Sequence, residues 1–274
     1  MNLLRRIATL PGIRVVLLHP TVRKQLAAVL ALRFAVAAWA TTTPLTLLRN
    51  EVSRRGLVET YRLRNSDMVV SLQHGRDLEA LFELFFRGEY EPPAGLAHRL
   101  TSPARIVDVG ANVGMFSAWA AAKWPTAHIT AFEPAPENVR VYRQWAERSG
   151  ADVGLVEACA TTSDGSVHFS EGRGGGDFAD ASGDLLVDGR DVLPTLAAAD
   201  FVKIDIEGGE WEILGDSRLA ELEDVVLVME YHRRLAPSLP AYDAARSLLE
   251  SAGFEVGHQR ANHWGHGTLW AWKS

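Results

Sequence analysis

Cysteine is nearly absent from this sequence. Its 274 residues include one cysteine, Cys159, so no disulfide can form within the chain. This excludes a disulfide framework and is typical of a reducing compartment, which predicts a cytoplasmic protein. Cys159 itself lies in an apolar segment, residues 155–160, where we expect a small core residue rather than a nucleophile.

No apolar run in the sequence is long enough to cross a membrane. The most apolar stretch, residues 26–39, is interrupted by Arg33 and is soon followed by Pro44. A membrane-spanning helix needs about 18–20 uninterrupted apolar residues. Internal repeats are also lacking, and one domain of ordinary size with an extension is the simplest organisation for a chain of this length.

Acidic charge is scarce in the first quarter of the chain. Residues 1–65 contain eleven basic residues against two acidic ones, a net charge of +9, and the whole chain carries −6, which leaves −15 for the remainder. Such asymmetry informs about partners rather than fold. Two interpretations stay open: a helical cap packed on the core or on a second subunit, which is favoured, and a basic amphipathic helix in peripheral contact with an anionic membrane. We expect no nucleic-acid partner, and the oligomeric state is not indicated.

The most informative segment is residues 104–117, ARIVDVGANVGMFS. An apolar run leads to Asp108, a glycine-rich turn follows, and the residues from Phe116 onward are typical of a helix. A strand, a tight glycine loop and a helix form a cradle of nucleotide size at the carboxyl edge of an α/β sheet. Gly110 lets the backbone turn without a Cβ clash, and Gly114 lets a ligand or a neighbouring element come close.

The carboxylates around this loop indicate which cofactor it holds. The dinucleotide fingerprint G-x-G-x-x-G is missing, and Asp108 stands where it would repel a pyrophosphate. Glu133 follows the next predicted strand, about 20 residues past the loop, where a carboxylate accepts both hydroxyls of a ribose. The pair favours S-adenosylmethionine, which carries a positive sulfonium, over a nicotinamide dinucleotide. The candidate cofactor-binding residues are Asp108, Gly110, Ala111, Asn112, Gly114, Glu133 and Pro134.

Short apolar runs alternate with helical patterns from residue 105 onward. Strands are predicted at residues 105–109, 128–132, 154–158, 200–206 and 225–231, and helices at 116–124, 136–149, 209–222 and 242–252. This alternation predicts an α/β fold with a mostly parallel sheet. Two further strands, residues 254–258 and 268–272, are joined too closely to be parallel, so they predict an antiparallel C-terminal hairpin. We predict a mainly helical N-terminal extension over residues 1–100 and the cofactor-binding domain over residues 101–274.

Three other segments receive structural interpretations. Residues 171–191 contain six glycines and five aspartates, a composition that predicts a loop or lid near the site, or disorder. The segment HWGH, residues 263–266, lacks a cysteine or a spaced carboxylate, and we interpret it as a turn rather than a metal site. Glu210 and Glu212 begin a predicted helix, where negative charge suits the N-terminus.

Four motifs follow one another in the chain: DVGANVGMFS, AFEPAPENV, FVKIDIEGGEWEIL and VMEYH. Together they resemble the FkbM-type S-adenosylmethionine-dependent methyltransferases, and FRGEY at residues 86–90 is similar to the segment that precedes the catalytic core in that family. The resemblance runs from about residue 66 to the C-terminus. It implies a class I (Rossmann-like) methyltransferase fold and O-methylation of a hydroxyl on a small acceptor such as a sugar, glycoside or polyketide, without identifying the acceptor.

Acids and a histidine end the strands that would face the transferred methyl group. In an open α/β sheet, ligands lie outside the carboxyl ends of the strands. Asp205 and Glu230 occupy two such ends, which are adjacent in the strand order of class I methyltransferases, and Glu207 and His232 lie just beyond them. His232 is the first candidate for the base that deprotonates the acceptor, because an unperturbed imidazole pKa of about 6.5 suits neutral pH.

The acids admit two interpretations. As simple site acids, Asp205 and Glu207 would orient the methionine amino group and the acceptor. As ligands, Asp205 and Glu230 would hold Mg²⁺, a cation that prefers oxygen donors; metal-dependent O-methyltransferases place carboxylates at these same strand ends.

Two alternatives to an O-methyltransferase remain. An NAD(P)-dependent oxidoreductase is disfavoured by the glycine loop and by the predicted C-terminal hairpin. A non-catalytic partner subunit that binds S-adenosylmethionine would be marked by loss of Asp205, Glu230 or His232, and all three are present.

Overall fold

The computed structural model describes residues 38–64, 68–170, 185–261 and 266–274, together with Ala31, Ala35, Phe178, Ala179 and Gly183. Most of the basic first part of the chain, and most of the apolar stretch at residues 26–39, therefore lies outside the described residues. Within the described ranges, no helix has both the length and the apolar character needed to cross a bilayer.

The elements follow in chain order. Helices α1 to α7 span Pro44–Ser53, Leu78–Arg87, Met115–Lys123, Pro136–Ser149, Leu193–Leu196, Glu210–Gly215 and Ala241–Ser251. Strands β1 to β7 span Val58–Arg62, Val69–Gln73, Arg105–Val109, His128–Phe132, Val153–Val156, Cys159–Thr161 and Gly165–Ser170. Strands β8 to β13 span Phe178–Ala179, Leu185–Asp191, Phe201–Ile204, Val226–Tyr231, Glu255–Ala261 and Gly267–Trp272. Two 3-10 turns span Ala97–Leu100 and Ser217–Glu221.

A seven-stranded sheet organises the fold, with the order β12-β13-β11-β10-β3-β4-β5. Strands β11, β10, β3, β4 and β5 are parallel, whereas β13 is antiparallel to both β11 and β12. This strand order confirms the predicted class I methyltransferase fold, including its antiparallel C-terminal hairpin. The chain moves from β3 outward to β5, then returns to β10 and moves outward in the other direction, so the sheet reverses between β3 and β10.

Both faces of the central strands are buried, which explains why these strands are mostly apolar. Ile106 and Phe201 belong to one core layer, and their chain neighbours Val107 and Val202 belong to the opposite layer. Adjacent residues of a strand point to opposite faces. The alternation therefore anchors β3 and β10 from both sides and fixes the strand ends that carry the candidate site.

The described part of the N-terminal extension packs on the sheet and belongs to its core. Leu47 of α1, Leu72 of β2 and Leu81 of α2 are buried in the same apolar cluster as Ile106 of β3. In addition, the Trp145 indole nitrogen donates a hydrogen bond to the carbonyl of Val69 on β2 at 3.0 Å. Over these residues the extension is a cap on the core, and it includes an antiparallel hairpin, β1–β2, that the sequence did not predict.

Two predictions about secondary structure are wrong. Residues 185–191, assigned to a glycine-rich loop, form β9, which pairs with β7 and β6 in a separate four-stranded sheet. The predicted helix at 209–222 is interrupted, because α6 ends at Gly215 and Asp216 takes an extended conformation before a 3-10 turn. In contrast, the predicted bounds of β3, β4 and α4 agree with the structure residue for residue.

Candidate functional site

The candidate site lies where the sheet reverses, at the carboxyl ends of β3 and β10. Asp205 donates its backbone N–H to the carbonyl of Val109 at 3.0 Å, so the two strand ends stay paired. Gly110 follows with a φ of +80°, and a Cβ at this position would lie 1.9 Å from the carbonyl oxygen of Asp205. Glycine is therefore required at 110 because the loop after β3 passes directly against the end of β10.

Gly114 lies at a second point where two elements pack closely. It has a φ of +86° and precedes α3, and a Cβ there would lie 2.8 Å from the ring of Tyr142 on α4. The group that comes close to Gly114 is therefore helix α4 rather than a ligand. Between the two glycines, Ala111 donates its N–H to the carbonyl of Phe132 at 2.9 Å, which ties the loop to the end of β4.

Asp108 lies beneath the glycine loop and is fully buried. Its Oδ2 accepts a hydrogen bond from Ser117 Oγ at 2.7 Å, and its Oδ1 lies 3.2 Å from the ammonium of Lys203. The structure therefore assigns Asp108 a part in supporting the loop. Direct contact between its carboxylate and a ligand stays a prediction.

Lys203 lies among the residues of the candidate site and was not predicted from the sequence. Its ammonium group is buried in the middle of β10, donates to the carbonyl of Gly110 at 2.7 Å and lies 3.9 Å from Asp205. Burial lowers the pKa of Lys203, but the charges of Asp108 and Asp205 outweigh this effect and raise the pKa above its usual value. The cation therefore persists at neutral pH and links the glycine loop to the acids of β10.

Glu133 lies at the carboxyl end of β4, as predicted, but its carboxylate is engaged by the protein. Oε2 accepts from the backbone N–H of Asn112 at 2.7 Å. Oε1 accepts from the N–H of Ala135 at 2.9 Å and from the Asn138 side chain at 3.0 Å. Pro134 sits between these groups in the chain. The carboxylate thus holds the glycine loop against the start of α4.

Arg76, from the loop before α2, covers this region. Its guanidinium donates to the side-chain oxygens of Asn138 and Asn112, the latter at 3.4 Å. Its Nε also donates to Asp77 Oδ1 at 3.0 Å. The extension therefore supplies a cation to the rim of the glycine loop.

The structure brings together the four residues predicted to carry the chemistry. The Nε2 atom of His232 lies 3.6 Å from a carboxylate oxygen of Glu207. The same nitrogen lies 3.9 Å from both Asp205 Oδ1 and Glu230 Oε1. Three carboxylates from the ends of β10 and β11 thus surround one imidazole nitrogen.

Glu210 orients that imidazole. It is fully buried at the start of α6, and its Oε1 lies 3.1 Å from His232 Nδ1 and accepts the His232 backbone N–H at 2.9 Å. Its Oε2 accepts the N–H of Gly208 at 2.7 Å. The interpretation of Glu210 as only a helix-starting acid is therefore incomplete, because this carboxylate fixes both the ring and the backbone of His232.

The surroundings of His232 change its protonation. Burial lowers the pKa of the imidazole, but the hydrogen bond to Glu210 and the charges of Asp205, Glu210 and Glu230 outweigh it and raise the pKa to about 10. The ring therefore carries its proton at neutral pH. The assignment of His232 as the general base stays a prediction, and the raised pKa favours the protonated ring. Burial and the charge of Asp205 also raise the pKa of Glu230 well above its ordinary value.

The segment FRGEY reaches this cluster from the extension. Glu89 Oε1 accepts a hydrogen bond from Thr268 Oγ1 at 3.0 Å, and Thr268 pairs with Glu230 across the sheet. Burial, followed by the charges of Asp205, Glu89 and Glu230, raises the pKa of Tyr90, so its hydroxyl stays protonated. The cap therefore contributes side chains beside the acids of β10 and β11.

Histidine nitrogens stand among these oxygens. His266 precedes β13, and its ring centroid lies 5.3 Å from that of His232; the rest of the segment HWGH lies outside the described residues. Mg²⁺ prefers oxygen donors, so this mixed donor set does not support the predicted Mg²⁺.

Comparison with known proteins finds a methyltransferase domain similar to part of the chain. A family model described as the methyltransferase FkbM domain matches residues 191–256. The matched range contains the whole cluster from Lys203 to His232, and it excludes the glycine loop.

Two curated proteins and one solved structure illustrate the similarity. "Methyltransferase 1" of Beauveria bassiana is 26% identical over 188 residues, which cover 57% of this chain and 74% of that protein. The 31-O-demethyl-FK506 methyltransferase FkbM of Streptomyces tacrolimicus is 35% identical over 113 residues, which cover 40% of this chain and 41% of that protein. Fibrillarin of Aeropyrum pernix, solved with natively bound S-adenosyl-L-methionine, has a TM-score of 0.45 at 14% identity and covers 79% of this chain and 94% of that one. Over residues 191–256 the chain is therefore similar to the FkbM methyltransferase domain, and it is similar in part to these two curated methyltransferases.

Proposed function

We propose that this protein transfers the methyl group of S-adenosylmethionine to a hydroxyl oxygen of a small acceptor, a sugar or a secondary metabolite. The observation that carries this proposal is the meeting of Asp205, Glu207, Glu230 and His232 beside the glycine loop. Ligands of open α/β sheets bind at such a reversal of strand order. The similarity of residues 191–256 to the FkbM methyltransferase domain supports the same reaction class.

The residues around the loop fit this cofactor under one condition. Glu133 stands at the end of β4, where a carboxylate can accept ribose hydroxyls. Its oxygens already accept three hydrogen bonds from the protein, so a ribose would share this carboxylate with the glycine loop and α4. The guanidinium of Arg76 lies over Asn112 and Asn138, so it must move aside for a ribose to approach. Asp205, partly exposed at the neighbouring strand end, would accept the methionine amino group.

Bound S-adenosylmethionine supplies an electrophilic methyl group on a cationic sulfur. The chain must then hold an acceptor oxygen near the methyl carbon and receive the hydroxyl proton as the new bond forms. Because His232 already carries a proton at neutral pH, a carboxylate is the better proton acceptor. We assign this role to Glu207, whose side chain is 38% exposed and lies 3.6 Å from His232.

The backbone of Glu207 supports this assignment. It has a φ of +54°, a left-handed conformation that non-glycine residues rarely adopt. Such strain clusters at active sites, where the surrounding structure enforces it. The imidazolium of His232 would stabilise the negative charge that develops on the acceptor oxygen, and Glu210 would hold the ring in place for that purpose.

A labelled-methyl assay over a panel of hydroxylated acceptors tests the proposal. We expect Glu207→Gln to lower turnover by about 10²–10⁴-fold, while calorimetry shows unchanged affinity for S-adenosylhomocysteine. Glu212→Gln is the matched control, because Glu212 is an exposed acid on α6, just after the turn that holds Glu207, and should keep full turnover.

Three results would overturn parts of the proposal. Thermal stabilisation by NAD in place of S-adenosylhomocysteine would indicate an oxidoreductase. Binding of S-adenosylhomocysteine without turnover on any acceptor would indicate a non-catalytic partner subunit. Full turnover by Glu207→Gln would remove Glu207 from the mechanism and leave the reaction class standing.

A further inference from the structure

We propose that Glu230, His232 and His266 form a binding site for a divalent transition-metal ion of the zinc class. One ligand atom of each residue, a carboxylate oxygen and two imidazole nitrogens, lies within 4.8 Å of the other two. Metal–ligand bonds of about 2.0–2.2 Å hold the ligand atoms of a tetrahedral site about 3.3–3.5 Å apart. The most widely separated ligand atoms would therefore have to approach each other by up to about 1.5 Å to share one ion.

The register of the sheet brings the two histidines together. Strands β11 and β13 are antiparallel, with Glu230 opposite Thr268 and Tyr231 opposite Gly267. The next position in the same register places His232 opposite His266. Their ring centroids are 5.3 Å apart at an interplanar angle of 88°. Because backbone hydrogen bonds set this register, the pair is held in place by the fold rather than by surface side chains alone.

Glu210 selects the nitrogen that faces the ion. A metal-binding histidine usually donates its other ring N–H to a carboxylate, which fixes the tautomer and the ring orientation. The Nδ1 atom of His232 lies 3.1 Å from Glu210 Oε1, so Nε2 is the atom directed at Glu230 and the other acids. Binding of the ion at Nε2 would displace the proton of this nitrogen to solvent and leave a neutral ring that donates from Nδ1 to Glu210. Glu210 is in turn held by the backbone N–H of Gly208.

The donor set determines the class of ion. Two imidazoles and a carboxylate suit zinc and related divalent transition metals, whereas Mg²⁺ and Ca²⁺ prefer oxygen donors alone. Asp205 and Glu207 add negative charge 3.9 Å and 3.6 Å from His232 Nε2. His266 and Glu230 are partly exposed, which gives an ion a path from solvent.

Metal binding by the full-length chain, untagged and stripped by a chelator, tests this inference without any methyl transfer. We expect the chain to bind about one equivalent of Zn²⁺ by calorimetry, and Co²⁺ to give a visible absorption band that Zn²⁺ abolishes. His266→Ala and His232→Ala should each weaken Zn²⁺ binding by at least about 100-fold, and Glu210→Gln by about 10–100-fold. His128→Ala is the control, because His128 is a half-exposed histidine paired with Asp152 at the surface and should bind Zn²⁺ normally.

The outcomes separate this inference from the proposed reaction. Absence of stoichiometric Zn²⁺ binding, unchanged binding by His266→Ala, or displacement of Zn²⁺ by equimolar Mg²⁺ would each overturn the site. His266 is partly exposed, so its variant gives a readout even if the buried His232 is needed for folding. A chain that binds Zn²⁺ through these residues but transfers no methyl group would refute the reaction and leave the metal site established.

Discussion

Replacement of Lys203 by methionine is expected to destabilise the fold strongly, because it leaves the carboxylate of Asp108 buried without its cation. Asp108 is 0% exposed and Lys203 is 4% exposed. Removing one partner of a buried ion pair costs about 3–5 kcal/mol. The Lys203 ammonium also donates to the carbonyl of Gly110 at 2.7 Å, and a buried acceptor that loses its donor costs about 1–3 kcal/mol. The free energy of unfolding should therefore fall by about 4–8 kcal/mol, close to the whole stability of a typical domain, about 5–15 kcal/mol.

The paired variant Lys203→Met with Asp108→Asn keeps this prediction measurable if the single variant does not fold. Asparagine has the shape of aspartate, and its oxygen can still accept the hydrogen bond that Ser117 donates at 2.7 Å. The buried charge is gone, so the double variant should be more stable than Lys203→Met by at least about 2 kcal/mol. Urea unfolding followed by tryptophan fluorescence gives each free energy of unfolding.

A surface ion pair supplies the matched control. Arg246 lies 2.7 Å from Glu250 on α7, and both side chains are about half exposed. Arg246→Met should leave the free energy of unfolding nearly unchanged, because solvent screens an exposed ion pair. If Lys203→Met loses no more than this control, or if Asp108→Asn fails to rescue it, the reasoning about the buried pair is refuted.

Three further predictions concern single positions. Gly110→Ala should lower the free energy of unfolding by more than about 3 kcal/mol or abolish folding, because its Cβ would lie 1.9 Å from the carbonyl oxygen of Asp205. Gly165→Ala is the control and should shift the thermal midpoint little, because a Cβ there would have no atom within 4 Å. Equal shifts of the thermal midpoint for the two variants would contradict this prediction. In chelator-treated protein, NMR titration should show that His232 stays protonated until about pH 10. The stabilisation of the fold by the protonated ring is complete below the ordinary pKa of about 6.5 and is lost as the pH rises through about 10. A measured pKa of His232 below about 7 would contradict this prediction. Burial raises the pKa of Cys159 to about 12, so its thiol should resist alkylation at neutral pH in the folded chain and react only after unfolding; rapid labelling of native protein would contradict this.

The sequence predicted the elements whose ends are marked by local chemistry. Helix α4 begins with a proline at Pro136 and ends at Gly150, which takes a φ of +67° that glycine tolerates. Strands β3 and β4 end at a glycine turn and at an acid followed by a proline. Such signals act within a few residues, so they could be read without knowledge of the fold.

Long-range pairing explains the strand that was missed. The glycines and aspartates of residues 171–191 predicted a loop, but Gly189 of β9 pairs with both Cys159 and Gly165. A Cβ at Gly189 would lie 2.8 Å from Val167, so glycine here reflects close packing between strands. The segment is rich in glycine, but the glycine at position 189 is explained by packing between strands that are distant in the sequence, which no local pattern reveals.

The same reason separates the predicted site residues from the missed ones. Asp205 and Glu230 could be predicted because each ends an apolar run, and parallel strands bring such ends together. Lys203 had a signal, a lysine inside the apolar segment FVKI, but its partner Asp108 lies in another strand. His266 was interpreted as part of a turn rather than a metal site, because no spaced carboxylate lies near it in the sequence. The pairing of β11 with β13 brings Glu230 close to it in the fold.

Two buried cations organise the acids of this site. Lys203 balances Asp108 beneath the glycine loop, and His232 balances the carboxylates at the ends of β10 and β11. Asp205 lies 3.9 Å from each cation, so its charge acts on both halves of the site. An amino group or a metal ion that binds near Asp205 therefore changes the electrostatic environment of the loop and of His232 together. This shared carboxylate provides a physical route by which a ligand at the glycine loop and a ligand beside His232 would influence each other, and such coupling must be reciprocal.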